Sequence, residues 1–398
     1  MTGVDTAPLD VAPAQAISVR MTQQLNRSTR PKTAIVLMNL GGPDQPSSVY
    51  PFLLNLFLDP AILRVPFFVR PLLARIIAGL RKKPASENYR ILGGKSPLLE
   101  LTIEQSNALE AALVDLNVKC FIAMRYWHPF SEEAARDVKA WDPDEIILLP
   151  LYPQHSTTTT GSSFTAWREA AASIGLAKPT RSICCYHSDP GFVASEAVIV
   201  KASYEKARAE LDPAIALRVL FSAHGLPESI IKAGDPYQQQ IERTTGAVLR
   251  QMAIPDLDAV ICYQSRATPQ KWIGPSTEDE IERAAHDKVA LLVVPIAFVS
   301  EHSETLVELD IEYREIAEHV GVPAYFRTPA QNSDAGFIAS LADLVRRTMG
   351  RAPGLCSFAG SRTCYRPHTD CPHARAGADA PPGPGDAGSE PVKLPKAA

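Results

Sequence analysis

Residues 301–313 read EHSETLVELDIEY and follow the very apolar run 289–297. As a helix at about 100° per residue, this segment would set Glu301, Glu304, Glu308 and Glu312 within roughly 80° of arc. Carboxylates stacked so closely raise one another's pKa. Acids in a first turn complement the helix dipole, which accounts for Glu301 and Glu304 but leaves Glu308 and Glu312 unexplained. A solvated acidic face is the plain reading, and a row that moves protons or a hard divalent cation is the chemical one. His224 is the second signal. It ends the apolar run FSAH before a Gly that eases a tight turn, and its reference pKa of about 6.5 suits a metal ligand or proton acceptor. Ser222 beside it does not make a hydrolase. No G-x-S-x-G elbow surrounds it, and side chains two apart on a strand are poorly placed for a proton relay.

Two further stretches carry chemistry. Residues 48–80 are apolar with Arg64, Arg70 and Arg75 interspersed, and their longest uncharged run is about 14 residues. That is short of the ~20 a membrane span needs. It suits a surface lip that admits an apolar ligand or rests on a bilayer with its Arg at headgroup level; an amphipathic core helix is the plain alternative. Cys356, Cys364 and Cys371 sit in polar surroundings, which argues against core burial and for thiolate ligation, with Cys184 or Cys185 as a fourth sulfur. Zinc competes there, because His368 and His373 lie in the same stretch.

These residues need a scaffold that brings them together. Apolar runs at 33–38, 120–124, 145–151, 181–186, 218–222, 258–262, 289–297 and 324–326 alternate with amphipathic stretches such as 101–116 and 337–349. That pattern predicts parallel strands with helical crossovers. The halves echo each other: IVLMNLGGP at 35–43 resembles VLFSAHGLP at 219–227, and IILLPLYPQHS at 146–156 resembles LLVVPIAFVSEHS at 291–303. The expectation is an α/β chain of two similar Rossmann-like domains, each with a parallel four-stranded sheet. Ligands of such sheets bind beyond the strands' carboxyl ends, here in a cleft between the domains. The boundaries read as an arm at 1–30, a first domain at 31–190 containing the lip, a second at 191–350, a Cys-containing extension at 351–373 and a low-complexity tail at 374–398.

Composition removes several classes. Among 398 residues, 40 Lys and Arg against 44 Asp and Glu give a net charge of −4. With a pI near 6.2, there is no basic face for nucleic acid. A mean hydropathy of −0.06 excludes an integral membrane protein. The first 30 residues lack a signal core, so a cytoplasmic location is expected, peripheral on the membrane if the lip binds lipid. The seven cysteines then read as thiols or ligands rather than disulfides.

With these residues assembled, the chain resembles the ferrochelatases over roughly residues 33–350. The shared pieces are NLGGP at 39–43, YRILGGKSP at 89–97, RYWHP at 125–129, YPQHSTTTTGSS at 152–163, SAHGLP at 222–227, GDPY at 234–237, YQSR at 263–266, WIGP at 272–275 and the 295–313 segment. The resemblance implies two α/β domains around a porphyrin cleft. It also implies insertion of Fe²⁺, as substrate, into protoporphyrin IX to give protoheme and two protons. His224 and Glu304 match the family's metal and proton-abstracting positions, with Glu308 and Glu312 as a proton or metal path. Leu40, Arg125, Tyr126, Tyr152, Ser156 and Trp272 match cleft positions. Some members hold a 2Fe–2S cluster through C-terminal cysteines and an interior one from the block at 152–163. Here that block has Thr157 and Thr158 and no sulfur, and one C-terminal position falls on Pro367. Cys185, Cys356, Cys364 and Cys371 become the candidate ligands. Three other readings stay open at this point: a chelatase for cobalt, one for coproporphyrin III, and a non-catalytic haem or iron carrier. The partners expected are porphyrin, ferrous iron and the inner membrane surface, with the chain a monomer or homodimer.

Overall fold

The computed structural model describes residues 30–264 and 270–378. The expected N-terminal arm, all but the first residues of the tail, and part of the YQSR motif lie outside the described residues. Eight parallel strands form two sheets: β1 (Thr33–Asn39), β2 (Val118–Met124), β3 (Glu145–Pro150) and β4 (Thr180–Ile183) in the first, and β5 (Leu217–His224), β6 (Ala259–Gln264), β7 (Ala290–Pro295) and β8 (Tyr325–Arg327) in the second. The orders β2-β1-β3-β4 and β6-β5-β7-β8 are the same, as the internal echo predicts. A ninth strand, β9 (Gly354–Cys356), joins the edge at β4, with Ile183 paired to Cys356. The first sheet therefore has five strands instead of four. Three residues carry too little periodicity to announce a strand, and this one covers an edge that would otherwise be open.

Both faces of each sheet are covered, so the strands read as unbroken apolar runs. Along β1, Ile35 and Leu37 enter a core shared with Val219, Phe221 and Ala223 of β5. Ala34, Val36 and Met38 enter a separate outer core. On the second sheet, Leu220, Leu291 and Val293 pack outward against Leu309 and Tyr313. The shared inner core draws on the helices Leu98–Ala112, Pro190–Glu210, Tyr237–Met252 and Ala335–Met349. The last of these packs against both Pro190–Glu210 and Leu98–Ala112, so the end of the second half closes onto the first. Polar ties also cross over: Gln105 donates to the carbonyls of Val299 and Asn332 at 3.1 and 2.9 Å.

The lip is a helical hairpin, Val49–Leu58 and Arg70–Ile91, with a small core of its own around Val49, Leu53, Ala78 and Tyr89. Phe68, Leu72, Ile76 and Leu80 are exposed at four-residue intervals along its outer side. Among the described residues no helix is long and apolar enough to cross a membrane.

Candidate active site

In the order shared by both sheets, the chain reverses direction between the first and third strands, and the strand ends there form a crevice. His224 closes β5, and Glu304 follows the turn after β7, the adjacent strand. Their side chains meet directly, His224 Nδ1 lying 3.0 Å from Glu304 Oε2. They stand side by side on one wall, because adjacent strands of one sheet carry both. About a third of each side chain meets solvent. Two cavities of about 600 Å³ flank the lip, one beside Asp59 and Arg125 and one beside Lys82 and Tyr89, and neither is lined by the pair.

The electrostatics of the pair follow from its geometry. Burial works to lower the His224 pKa, but the charge and hydrogen bond of Glu304, with Glu308 behind, outweigh it and hold the imidazole above its ordinary value. Burial works to raise the Glu304 pKa, yet His224, with help from His302, brings that carboxyl down to about 2. His302 lies with Nε2 3.9 Å from Glu304, and burial keeps its pKa low. Tyr89 from the lip is also near: burial pushes its phenol up to about 12 and the Glu304 charge adds to that.

The acidic segment differs from an α-helix. Glu304–Glu312 is a π-helix that tightens to α at Tyr313–Val320, a local form often found at functional sites. Its wider turn keeps Glu304, Glu308 and Glu312, spaced four apart, close to one line along the helix. Glu308 accepts from Gln264 at 3.2 Å and from Tyr313 at 3.0 Å. Glu312 accepts from Asn88 of the lip at 3.3 Å. Glu301 precedes the helix and does not belong to the row; it takes Arg327 at 2.8 Å and the Ala330 N–H at 2.9 Å. Gly225 follows His224 for reasons of space rather than turning: a Cβ there would fall 2.8 Å from the Gln264 carbonyl and 3.3 Å from the Trp272 ring.

The cleft residues from the first half behave differently. Tyr126 is fully buried and donates its hydroxyl to Asp59 at 2.8 Å. Arg125 pairs with the same carboxylate at 2.8 Å and donates to the Ser162 hydroxyl at 2.6 Å, and Ser162 donates to Asp59. Ser156, also buried, donates to Asp235 at 3.1 Å, and the Thr157 N–H and hydroxyl reach that carboxylate at 2.7 Å. Tyr152 lies buried at the end of β3, while Leu40, just past β1, is half-buried and accepts the Tyr126 N–H at 2.9 Å. Asp59 and Asp235 organise this wall, and the sequence reading passes over both. A lone acid inside the apolar lip was the available signal for Asp59.

The cysteines also depart from expectation: all seven are buried. Cys364 and Cys371 touch, and Cys185 acts electrostatically on both. Cys185 acts on Cys356 as well. Cys356 packs in the inner core, its thiol donating to the Ser182 carbonyl at 3.6 Å, whereas Cys184 and Cys185 pack in the outer one. Among the described residues no three His, Cys, Asp or Glu side chains gather at single-ion distances.

A twinned α/β fold carries an imidazole–carboxylate pair at its strand ends, backed by further acids, the donor types that proton and metal handling require. The family model Ferrochelatase matches residues 32–349. The ferrochelatase of Caulobacter vibrioides is 50% identical over 353 residues, covering 88% of this chain and 99% of the relative. That of Phenylobacterium zucineum is 48% identical over 346 residues, covering 84% and 98%. Among solved structures, SirB from Bacillus subtilis with Fe³⁺ aligns over 80% of this chain and 96% of its own, with 14% identity and a TM-score of 0.46. The chain belongs to the ferrochelatase family. It is a lyase that inserts ferrous iron into a porphyrin, a step of haem biosynthesis.

Proposed function

We propose that the porphyrin is protoporphyrin IX and that the His224–Glu304 pair manages its protons. The reaction exchanges two pyrrole N–H protons for one Fe²⁺, so the site must accept two protons while iron sheds water. Glu304 occupies Nδ1 of His224, which leaves Nε2 to take a pyrrole proton. The pair can pass that proton toward Glu308 and Glu312, or hand iron inward along the same acids. Binding that bends the macrocycle would present its nitrogen lone pairs to the metal, directing binding energy at the reacting geometry. Leu40, Tyr152 and Trp272 supply apolar walls, while Arg125, Tyr126 and Ser156 keep them in shape. The 3.0 Å contact at the strand ends carries this reading. An anaerobic assay with Fe²⁺ and either protoporphyrin IX or coproporphyrin III tests it. Faster insertion into protoporphyrin is expected, and exclusive use of coproporphyrin would overturn the substrate assignment.

We further infer a cytoplasmic enzyme whose lip rests on the membrane face. The exposed Phe68, Leu72, Ile76 and Leu80, with Arg75, Lys82 and Lys83 on the same helix, suit an anionic surface. Cosedimentation with anionic vesicles that survives Leu72→Glu would refute this. We also infer a 2Fe–2S cluster at Cys185, Cys364 and Cys371 plus one more donor. A two-iron cluster takes its ligands two to each iron, which fits sulfurs lying in contact better than a three-donor ion site does. Bound there, it would supply covalent links between the C-terminal extension and the loop after β4.

A further inference from the structure

Ser222 and Gln264 form a polar seam inside an otherwise apolar sheet, and both are fully buried. Gln264 closes β6 in register with His224 at the end of β5, and its main-chain carbonyl accepts the Gly225 N–H at 2.8 Å. Ser222, two residues before His224, donates to Gln264 Oε1 at 3.0 Å. The Ser222 hydroxyl also lies 3.0 Å from that of Thr277, at the start of the helix Thr277–Asp287. The amide's other end leaves the sheet: Nε2 donates to Glu308 Oε2 at 3.2 Å.

This place demands an amide. An ionised carboxylate only accepts, so the NH₂ faces Glu308 and the oxygen is left for the Ser222 hydroxyl. A glutamate would set oxygen against oxygen, and an apolar side chain would take from a buried serine and an acid the partner they share. Tyr313 donates to the other oxygen of Glu308 at 3.0 Å, but it follows on the same stretch of chain and moves with it. Glu312, four residues on, leans on Asn88 of the lip. Gln264 differs from both because it hangs on the strand beside His224. The charge of Glu308 acts on that imidazole, which puts the acid within electrostatic reach of the pair.

We propose that Gln264 is a positioning residue for iron insertion: it holds the Glu308 carboxylate at a fixed distance from the His224–Glu304 pair, where the acid row leaves the site. This rests on the reading above that Glu308 takes part in insertion. The test is anaerobic steady-state insertion of Fe²⁺ into protoporphyrin IX by the full chain, run as a double-mutant cycle with Glu308. Gln264→Met nearly keeps the length of the side chain and removes both of its hydrogen bonds. Its kcat should fall about 10-fold or more, toward the 10²-fold that a ~1 Å misplacement can cost, with porphyrin KM near wild type. Gln264→Glu keeps an acceptor for Ser222 and should be at least as slow, which covers the case where the apolar variant folds poorly. Glu308→Gln should itself lower kcat, and adding Gln264→Met to it should cost little more, because no carboxylate is left to place. Losses that multiply in the double variant, or a porphyrin KM that rises in step with the fall in kcat, would overturn the assignment by showing a role in structure alone. So would wild-type turnover in both Gln264 variants beside a slow Glu308→Gln, an outcome that leaves the acid row standing. Wild-type turnover in Glu308→Gln would instead overturn the reading of the row and this assignment together.

Discussion

The two walls of the site use charge in opposite ways. On the first-half wall two buried carboxylates gather fixed partners: Asp59 takes Arg125, Tyr126 and Ser162, and Asp235 takes Ser156 and Thr157. On the second-half wall His224 and Glu304 share one contact and remain about a third open to solvent. A saturated buried network is rigid and costly to disturb, whereas an open imidazole–carboxylate pair can change its protonation at little structural cost. On the proposed function, the first wall sets shape and the second moves protons. Substitutions on the two should therefore fail in different ways.

The largest expected effect is on turnover. His224→Ala should lower iron insertion by about 10²–10⁴-fold or more, the usual scale of a lost acid–base group, with circular dichroism and thermal unfolding near wild type. Near-normal turnover would erase the distinction between the walls. Next comes Asp59→Asn, which strips the charge from a carboxylate only 4% exposed that serves three side-chain donors and the Ala61 N–H. Urea unfolding should show a loss of about 1–3 kcal/mol, with porphyrin KM raised more than kcat is lowered. An unchanged midpoint would mean the network is not what holds this wall. The finest effect is on titration. The Glu304 charge holds the His224 pKa up against burial, so Glu304→Gln should let it fall, and the acid limb of residual activity should move to lower pH. NMR titration of the imidazole checks the sign; an upward shift would show that the pair is not coupled as described.

Much of this was legible in the chain. The echo between 35–43 and 219–227 foretold two sheets of one order, because buried parallel strands must be continuous apolar runs with turn residues at their ends. His224 and the acids of 304–312 stood out for the same reason: charge immediately after a buried strand is exposed to a crevice. Less visible was anything that depends on partners distant in sequence. Burial of Cys364 and Cys371 comes with the extension folding back over Gly234, and that of Cys356 with β9 joining the sheet, neither of which local polarity can reveal. The residue pattern does not mark that the helix begins only at Glu304, so the arc drawn for Glu301 misplaced it.

The sequence by itself determined the strand pattern, the repeat and the residue types able to handle iron and protons, since these are properties of neighbours along the chain. Only the tertiary structure decided that His224 and Glu304 touch, that Asp59 and Asp235 gather the polar side chains of the first half, and that Cys356 and Cys185 enter different cores. Each of those depends on which strands lie side by side and which face of a sheet a side chain meets, and chain order leaves both undetermined.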